Sequence, residues 1–355
     1  MIFPPAALTI RASSTPYPSN TTALVPTINF NNSLFAQVYT PYRYPANSSV
    51  YYIGNTTYTG PQANLKSVFV EAAVSGSILD IPPPVLSARN LTYSMQFAAP
   101  ALRCESGPQS LIDAVEEAMD VHAGGASTLG YGGEGLEFPL YIGWSPSATL
   151  LVPWDNIGAV NTTAGSFADE TVSFFVGWST STSTAFAEFD HIVNCSLWNS
   201  TYSVDFSYMN GIQNISVSTS NFVPFGGVFS LISTSTSTQQ YELPVLETFH
   251  NQSSVSYLAL MDSFVSVLGG AVYEQKDLLA AGTMVKSTSS VLSTNLMETT
   301  NLSYVGTLYS FQNTEDVGGP SADPGPPLAD ALEQLFVNAT LSLLRDLVFT
   351  YKALP

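Results

Sequence analysis

Charged side chains are scarce in this sequence of 355 residues, at 10% against about a quarter in an average soluble domain. The nine Lys and Arg stand singly, at Arg11, Arg43, Lys66, Arg89, Arg103, Lys276, Lys286, Arg345 and Lys352. A phosphate backbone needs clustered cations to displace its counterions, so nucleic acid is excluded as a partner. Peripheral binding to anionic lipid is excluded by the same argument. The net charge of -18 reads as plain solubility. Histidine is nearly absent, with only His122, His191 and His250. With no Cys-x-x-Cys and no paired His, a zinc site lacks its four ligands, and neither metal nor cofactor is expected. No run of 18 apolar residues occurs, so no transmembrane helix is expected within the chain. The opening Met1–Leu8 has no basic residue and is broken by Pro4 and Pro5. It does not read as a signal peptide, so export is expected to be directed from outside these residues.

Low charge combined with 45% apolar residues is not the mark of disorder. The surface is instead expected to be polar through hydroxyls, amides and attached sugar. Twelve Asn-x-Ser/Thr sequons occur, at Asn20, Asn31, Asn47, Asn55, Asn90, Asn161, Asn194, Asn199, Asn214, Asn251, Asn301 and Asn338. With 20 Asn and 78 Ser plus Thr, chance placement gives about four. The excess predicts a glycosylated chain in the secretory pathway, with nearly every sequon Asn in solvent and Asn194, next to Cys195, the expected exception. The two cysteines, Cys104 and Cys195, read as free thiols in a reducing compartment and as a disulfide in an oxidising one. The sequons favour the disulfide.

Residues 1–27 are rich in Pro, Ser and Thr and read as an irregular lead-in. From Thr27, short apolar runs alternate with turn residues, at Ile28–Phe35, Val50–Ile53, Val68–Val74 and Leu91–Leu102, the signature of strands. Thr92–Phe97 alternates polar with apolar, the period of a half-buried strand. Thr201–Met209 and Ile212–Phe222 flank Asn210-Gly211, which supplies the positive φ values of a type I′ hairpin turn. Helices are expected to be few. Ser110–Asp113 resembles a capping box, Ser256–Leu268 carries a one-sided stripe, and Pro327–Tyr351 shows Leu328, Leu332, Leu335, Phe336, Ala339, Leu343 and Leu347 on one face. That last helix is expected to pack by its stripe, with Asn338 on the solvent side. Ser179–Thr184 and Ser233–Thr238 are alternating Ser/Thr runs that suit strand edges, loops or O-glycosylated patches alike. Pro139–Ser145 and Ser173–Ser179 share an Ile/Val-Gly-Trp-Ser ending and read as equivalent core strands. The expected organisation is a lead-in over 1–27, a β-rich domain over 28–315, a Pro/Gly linker over 316–326, and a helix over 327–351.

Candidate chemistry is thin. There is no Gly-x-Ser-x-Gly elbow, and Asp190-His191 in a strand points its side chains to opposite faces. Glu134 with Glu137, or Asp169 with Glu170, are the carboxylate pairs to weigh for glycoside hydrolysis, yet acidic residues beside glycines are usually solvated loop. The Gly-rich stretch Gly124–Gly135 lacks the Lys and Ser/Thr of a phosphate loop. Trp144, Trp154, Trp178 and Trp198 suit sugar stacking if exposed and core packing if not.

Four segments look like something known. Ser94–Cys104 resembles the Gln-Phe-x-x-Pro-x-x-x-Cys segment of a family of fungal multi-span integral membrane proteins of unknown function. Cys195–Phe206, leading through Asn210-Gly211 to Gln213-Asn214, resembles that family's second Cys and hairpin. Leu328–Leu344 resembles its helix before the final membrane span, and Pro4–Ile10 its entry from the N-terminal spans. The resemblance implies a membrane-anchored extracellular domain and supplies no active-site residues. The fold class expected is mainly β with a few helices (α+β), a sandwich-like antiparallel domain with a C-terminal amphipathic helix. The expected role is surface interaction or scaffolding with a protein or a cell-wall glycan, at the extracellular face of a membrane. The alternative is a secreted carbohydrate-active hydrolase with paired carboxylates.

Overall fold

A computed structural model describes residues 8–9, 25–39, 57–84, 90–113, 115, 136–145, 172–179, 191–225, 230–232, 243–245, 252–276, 283–303, 305–306, 325–346 and 350–352. In chain order, the strands and helices are β1 (Leu8–Thr9), β2 (Pro26–Ile28), β3 (Ala36–Tyr39), β4 (Thr57–Pro61), α1 (Ala63–Ser75) and β5 (Asn90–Ser106). There follow β6 (Leu136–Trp144), β7 (Ser173–Trp178), β8 (His191–Met209), β9 (Ile212–Pro224), β10 (Ser230–Ile232) and β11 (Leu243–Val245). Then come α2 (Gln252–Leu268), β12 (Gly270–Lys276), β13 (Thr283–Ser287), α3 (Leu328–Ser342) and β14 (Thr350–Lys352).

The fold is mainly β and antiparallel, with a few helices, as expected. One large sheet runs β1-β5-β8-β7-β6-β12-β13, and β9 also pairs with β8. A smaller sheet runs β10-β11-β4-β3, and β14 pairs with β2. The spine is β5 against β8, paired without a break from Asn90↔Met209 to Ser106↔Val193. β7 and β9 lie end to end along the other edge of β8, on His191–Ser196 and Trp198–Met209 respectively. Alternation explains the buried face: Tyr93, Met95, Phe97 and Ala99 on β5 meet Tyr202, Val204, Phe206 and Tyr208 on β8. Directly opposed rings stack there, with Tyr93 and Phe206 centroids 4.6 Å apart.

Helices cover that face. A relay of edge-to-face rings runs from Phe174 on β7 to Phe264 on α2, then to Phe336 on α3 and Phe69 on α1. α2 is buried nearly all round and also reaches β3 and β4, so it joins the two larger sheets through one core. A second, smaller cluster on the opposite side of the large sheet joins Ile112 and Val115 to Ile142, Trp144 and Ile192.

The hairpin is as expected, with Asn210 at φ 54 and Gly211 at φ 84 closing β8 onto β9. The two Gly-Trp segments are neighbouring core strands, β6 and β7, with Ile142 opposite Gly177. Other expectations change. Val68–Val74 is not a strand but part of α1: Leu65, Val68, Phe69, Ala72 and Ala73 are buried at helical spacing, and exposed Val70 and Val74 filled the gaps between them. Strand β2 ends at Ile28, and Asn32 caps a 3₁₀ turn over Ser33–Phe35. The lead-in is not wholly irregular, because β1 and β2 fall within or across it. The C-terminal helix ends at Ser342 rather than Tyr351; a 3₁₀ turn follows and β14 returns to pair with β2, Tyr351 opposite Thr27. Val50–Ile53 lies outside the described residues.

Candidate functional site: the outer face of the three long strands

Two cross-links define one end of the spine. Cys104 and Cys195 are directly opposed in the β5–β8 register, 4.0 Å apart at Cα, and joined as a disulfide closing a separation of 91 residues. At the same end the side chain of Arg103 lies over the ring of Phe222 on β9, 4.5 Å from its centroid.

From the disulfide toward the hairpin, the face turned away from the helices becomes wholly polar but for its edges. Its rows, read across β5, β8 and β9, are Ala98/Thr201/Ser220, Gln96/Ser203/Ser218, Ser94/Asp205/Ser216, Thr92/Ser207/Asn214 and Asn90/Met209/Ile212. Every one of these side chains is exposed or half-buried. At about 3.4 Å per residue the rows extend for roughly 27 Å. Bonds between neighbouring strands pre-order them. Ser94 Oγ donates to the Asp205 carboxylate, and Gln96 Nε2 donates to Ser203 Oγ at 2.9 Å. Asn210 N–H donates to Asn90 Oδ1 at 3.0 Å, pinning the turn to β5.

These rows contain one carboxylate, no cation, no histidine and no aromatic ring. Ser94 beside Asp205 is a hydrogen-bonded pair and not a nucleophile–histidine–carboxylate array, because no imidazole stands between them. The face offers many donors and acceptors in continuous rows, which suits contact with amides or hydroxyls.

The other candidates separate. His191 begins β8, exposed, with its ring 5.3 Å from Trp178. Trp144 and Trp178 are buried, so neither is a sugar platform. Trp198 is half-buried and its Nε1 donates to Ser196 Oγ. Glu137 lies on β6 opposite Gln275 of β12. His122, His250, Asp190, Glu134, Asp169, Glu170 and Trp154 lie outside the described residues. Among the described residues no group of three His, Cys, Asp or Glu is placed to hold a metal ion, and no helix is long and apolar enough to cross a membrane.

The sequon asparagines differ in environment. Asn31, Asn90 and Asn214 are exposed, and Asn194, Asn199 and Asn301 are half-buried. Asn199 and Asn301 use Oδ1 structurally, accepting from Tyr257 Oη at 3.0 Å and from Leu328 N at 2.8 Å. Asn338 is buried, which corrects the expectation that its side of α3 faces solvent. The apolar stripe named only one side of that helix; the other side is covered by the chain leaving α1. Asn20, Asn47, Asn55, Asn161 and Asn251 lie outside the described residues.

The polar rows were missed in the sequence. Their signal is Ser, Thr or Asp at every second position of 201–207 and Asn or Ser at every second position of 214–220, which reads as one face only once the hairpin register is fixed. Comparison with family models, with curated proteins and with solved structures finds no match for this chain.

Proposed function

We propose that this chain is the non-enzymatic, glycosylated extracellular domain of a fungal multi-span membrane protein, and that it works by surface contact. The observation that supports a contact role is the outer face of β5, β8 and β9, a pre-ordered polar surface without a nucleophile–histidine–carboxylate array or a stacking ring. The disulfide and the sequons support an oxidising compartment, the extracellular side of the plasma membrane or of another secretory membrane. The partner is a protein or a cell-wall glycan that presents amides and hydroxyls to this face.

Two measurements test the reading. Expressed in a eukaryotic secretory host, the chain should lose mass on amidase treatment, and neither cysteine should alkylate until reductant is added. No mass loss overturns the compartment. Ser218→Arg with Ser220→Arg, which leaves every sequon intact, should preserve thermal stability and abolish retention on isolated cell wall or cross-linking to cell-surface protein. Retention and cross-linking identical to the parent chain would remove the face from the proposal.

A further inference from the structure

We propose that Asn338, which heads an Asn-Ala-Thr sequon, is not a glycan acceptor in the folded protein but the latch that ties α3 to the end of α1. The inference rests on the glycosylated reading above and divides its sequons by environment.

An N-linked sugar is carried on Nδ2, and that atom of Asn338 donates to the carbonyl of Gly76 at 3.1 Å. The other amide atom, Oδ1, accepts from Gln334 Nε2 at 2.8 Å. One helical turn later the contact repeats: Ser342 Oγ donates to the Asn338 carbonyl at 2.7 Å and accepts the Leu79 N–H at 2.9 Å. Positions 338 and 342 therefore hold the segment 76–79 side by side along α3. That segment is fixed from its own end as well. Gly76 terminates α1 in the left-handed region at φ 66, with its N–H on Ala72 O, so its carbonyl is aimed by the cap.

The rest of the sequon is equally enclosed. Asn338 is 5% exposed, and Ala339 and Thr340 are fully buried in helical backbone. A sugar on Nδ2 would leave that nitrogen a single N–H and set a bulky ring in the enclosed space beside the Gly76 carbonyl, which requires α3 to lift off its neighbours. By contrast Asn90 and Asn214 are exposed on the outer face. Asn90 is tied to the turn through Oδ1, not through the nitrogen that carries a sugar. Sugar transfer acts on accessible, unfolded chain, so at Asn338 it competes with docking of α3, and a chain modified there cannot close the latch.

The test uses the full chain secreted from a eukaryotic host and purified as folded monomer. Amidase treatment in heavy-oxygen water should label Asn90 and Asn214 and leave Asn338 unlabelled. Thr340→Val destroys the sequon without touching the latch and should leave the glycan mass unchanged. Asn338→Leu, of similar volume but unable to make the bonds, should lower the melting midpoint by at least about 2 °C. Sugar at Asn338 in the folded monomer, or a mass loss in T340V, or an unchanged midpoint in N338L, overturns the latch. If no sequon carries sugar, the glycosylated reading falls instead, and the latch is judged on the N338L midpoint alone.

Discussion

Glu333 on α3 accepts the backbone N–H of Cys104 at 2.7 Å, so the helix closes the open edge of β5 beside the disulfide. Among the described residues, β1 pairs with that edge only at Ser94 and Met95. Pro100, farther along the same strand, has no N–H to satisfy, and its carbonyl accepts from Tyr202 Oη at 2.7 Å. An edge strand left bare invites pairing with other chains, and here a helix and a proline blunt it. Glu333→Ala should destabilise by about 1–3 kcal/mol, because a part-buried N–H loses its partner. Glu333→Gln keeps an acceptor oxygen and should cost less. Urea unfolding separates the two, and equal midpoints for parent and E333A would show that the contact carries no stability.

Two glycines predict different penalties for the same methyl group. A Cβ at Gly143 would lie 2.6 Å from the Leu268 carbonyl and 3.0 Å from Phe174, both held in the core. It would also press on the Tyr141 hydroxyl, which donates to Leu268 O at 2.7 Å. Gly143→Ala should therefore cost about 1–3 kcal/mol from overpacking and about 1 more from the disturbed bond. At Gly211 nothing lies within 4 Å, and only φ of 84 opposes a side chain. Gly211→Ala should cost about 1–2 kcal/mol. A larger loss of melting midpoint in G211A than in G143A would contradict the packing around β6.

Burial drives the tyrosine hydroxyls of Tyr141 and Tyr202 well above the ordinary value near 10, since the charged phenolate is not solvated in the core. Tyr257 moves the same way and for the same reason. The folded value lies above the unfolded one, so the stability these groups contribute is whole below about pH 10 and is lost progressively above it. Absorbance near the phenolate band should rise in two stages with pH, exposed tyrosines first and buried ones together with loss of near-ultraviolet dichroism. A smooth single titration of all tyrosines without unfolding would refute this.

What was legible in the sequence is what is local. Asn210-Gly211 carries its own turn geometry, and the stripe Leu328–Leu343 its own helix. Cys104 and Cys195 were readable as a pair because only two exist. The pairing of β5 with β8 joins residues about a hundred positions apart, and nothing in either segment names the other. The burial of Asn338 depends on Gly76, 262 residues away, while a sequon is only a tripeptide pattern. The outer rows emerge only when three strands are in register. Val70 and Val74 hid a helix by being apolar on its exposed side, where periodicity expects polar residues.

The C-terminal segment gives the last prediction. Leu332, Leu335, Phe336 and Leu343 are buried as the stripe implied, and replacing Leu332 by Ala should cost about 2–5 kcal/mol. Deleting 326–355 removes α3 and β14 together. It would expose Phe69 and Phe264, whose rings lie 5.9 and 5.4 Å from that of Phe336, and free the edge of β5 that Glu333 closes. Cooperative melting should be lost in that deletion. Deleting only 347–355 takes away β14, which pairs with β2 at three positions, and leaves α3 docked. That shorter deletion should lower the midpoint modestly while keeping a single sharp transition. If both deletions melt like the parent chain, α3 is a detached stalk and its packing against β5 and α1 is wrong. If both abolish the transition, the β2–β14 pair, rather than the helix, holds the two ends of the chain to the body.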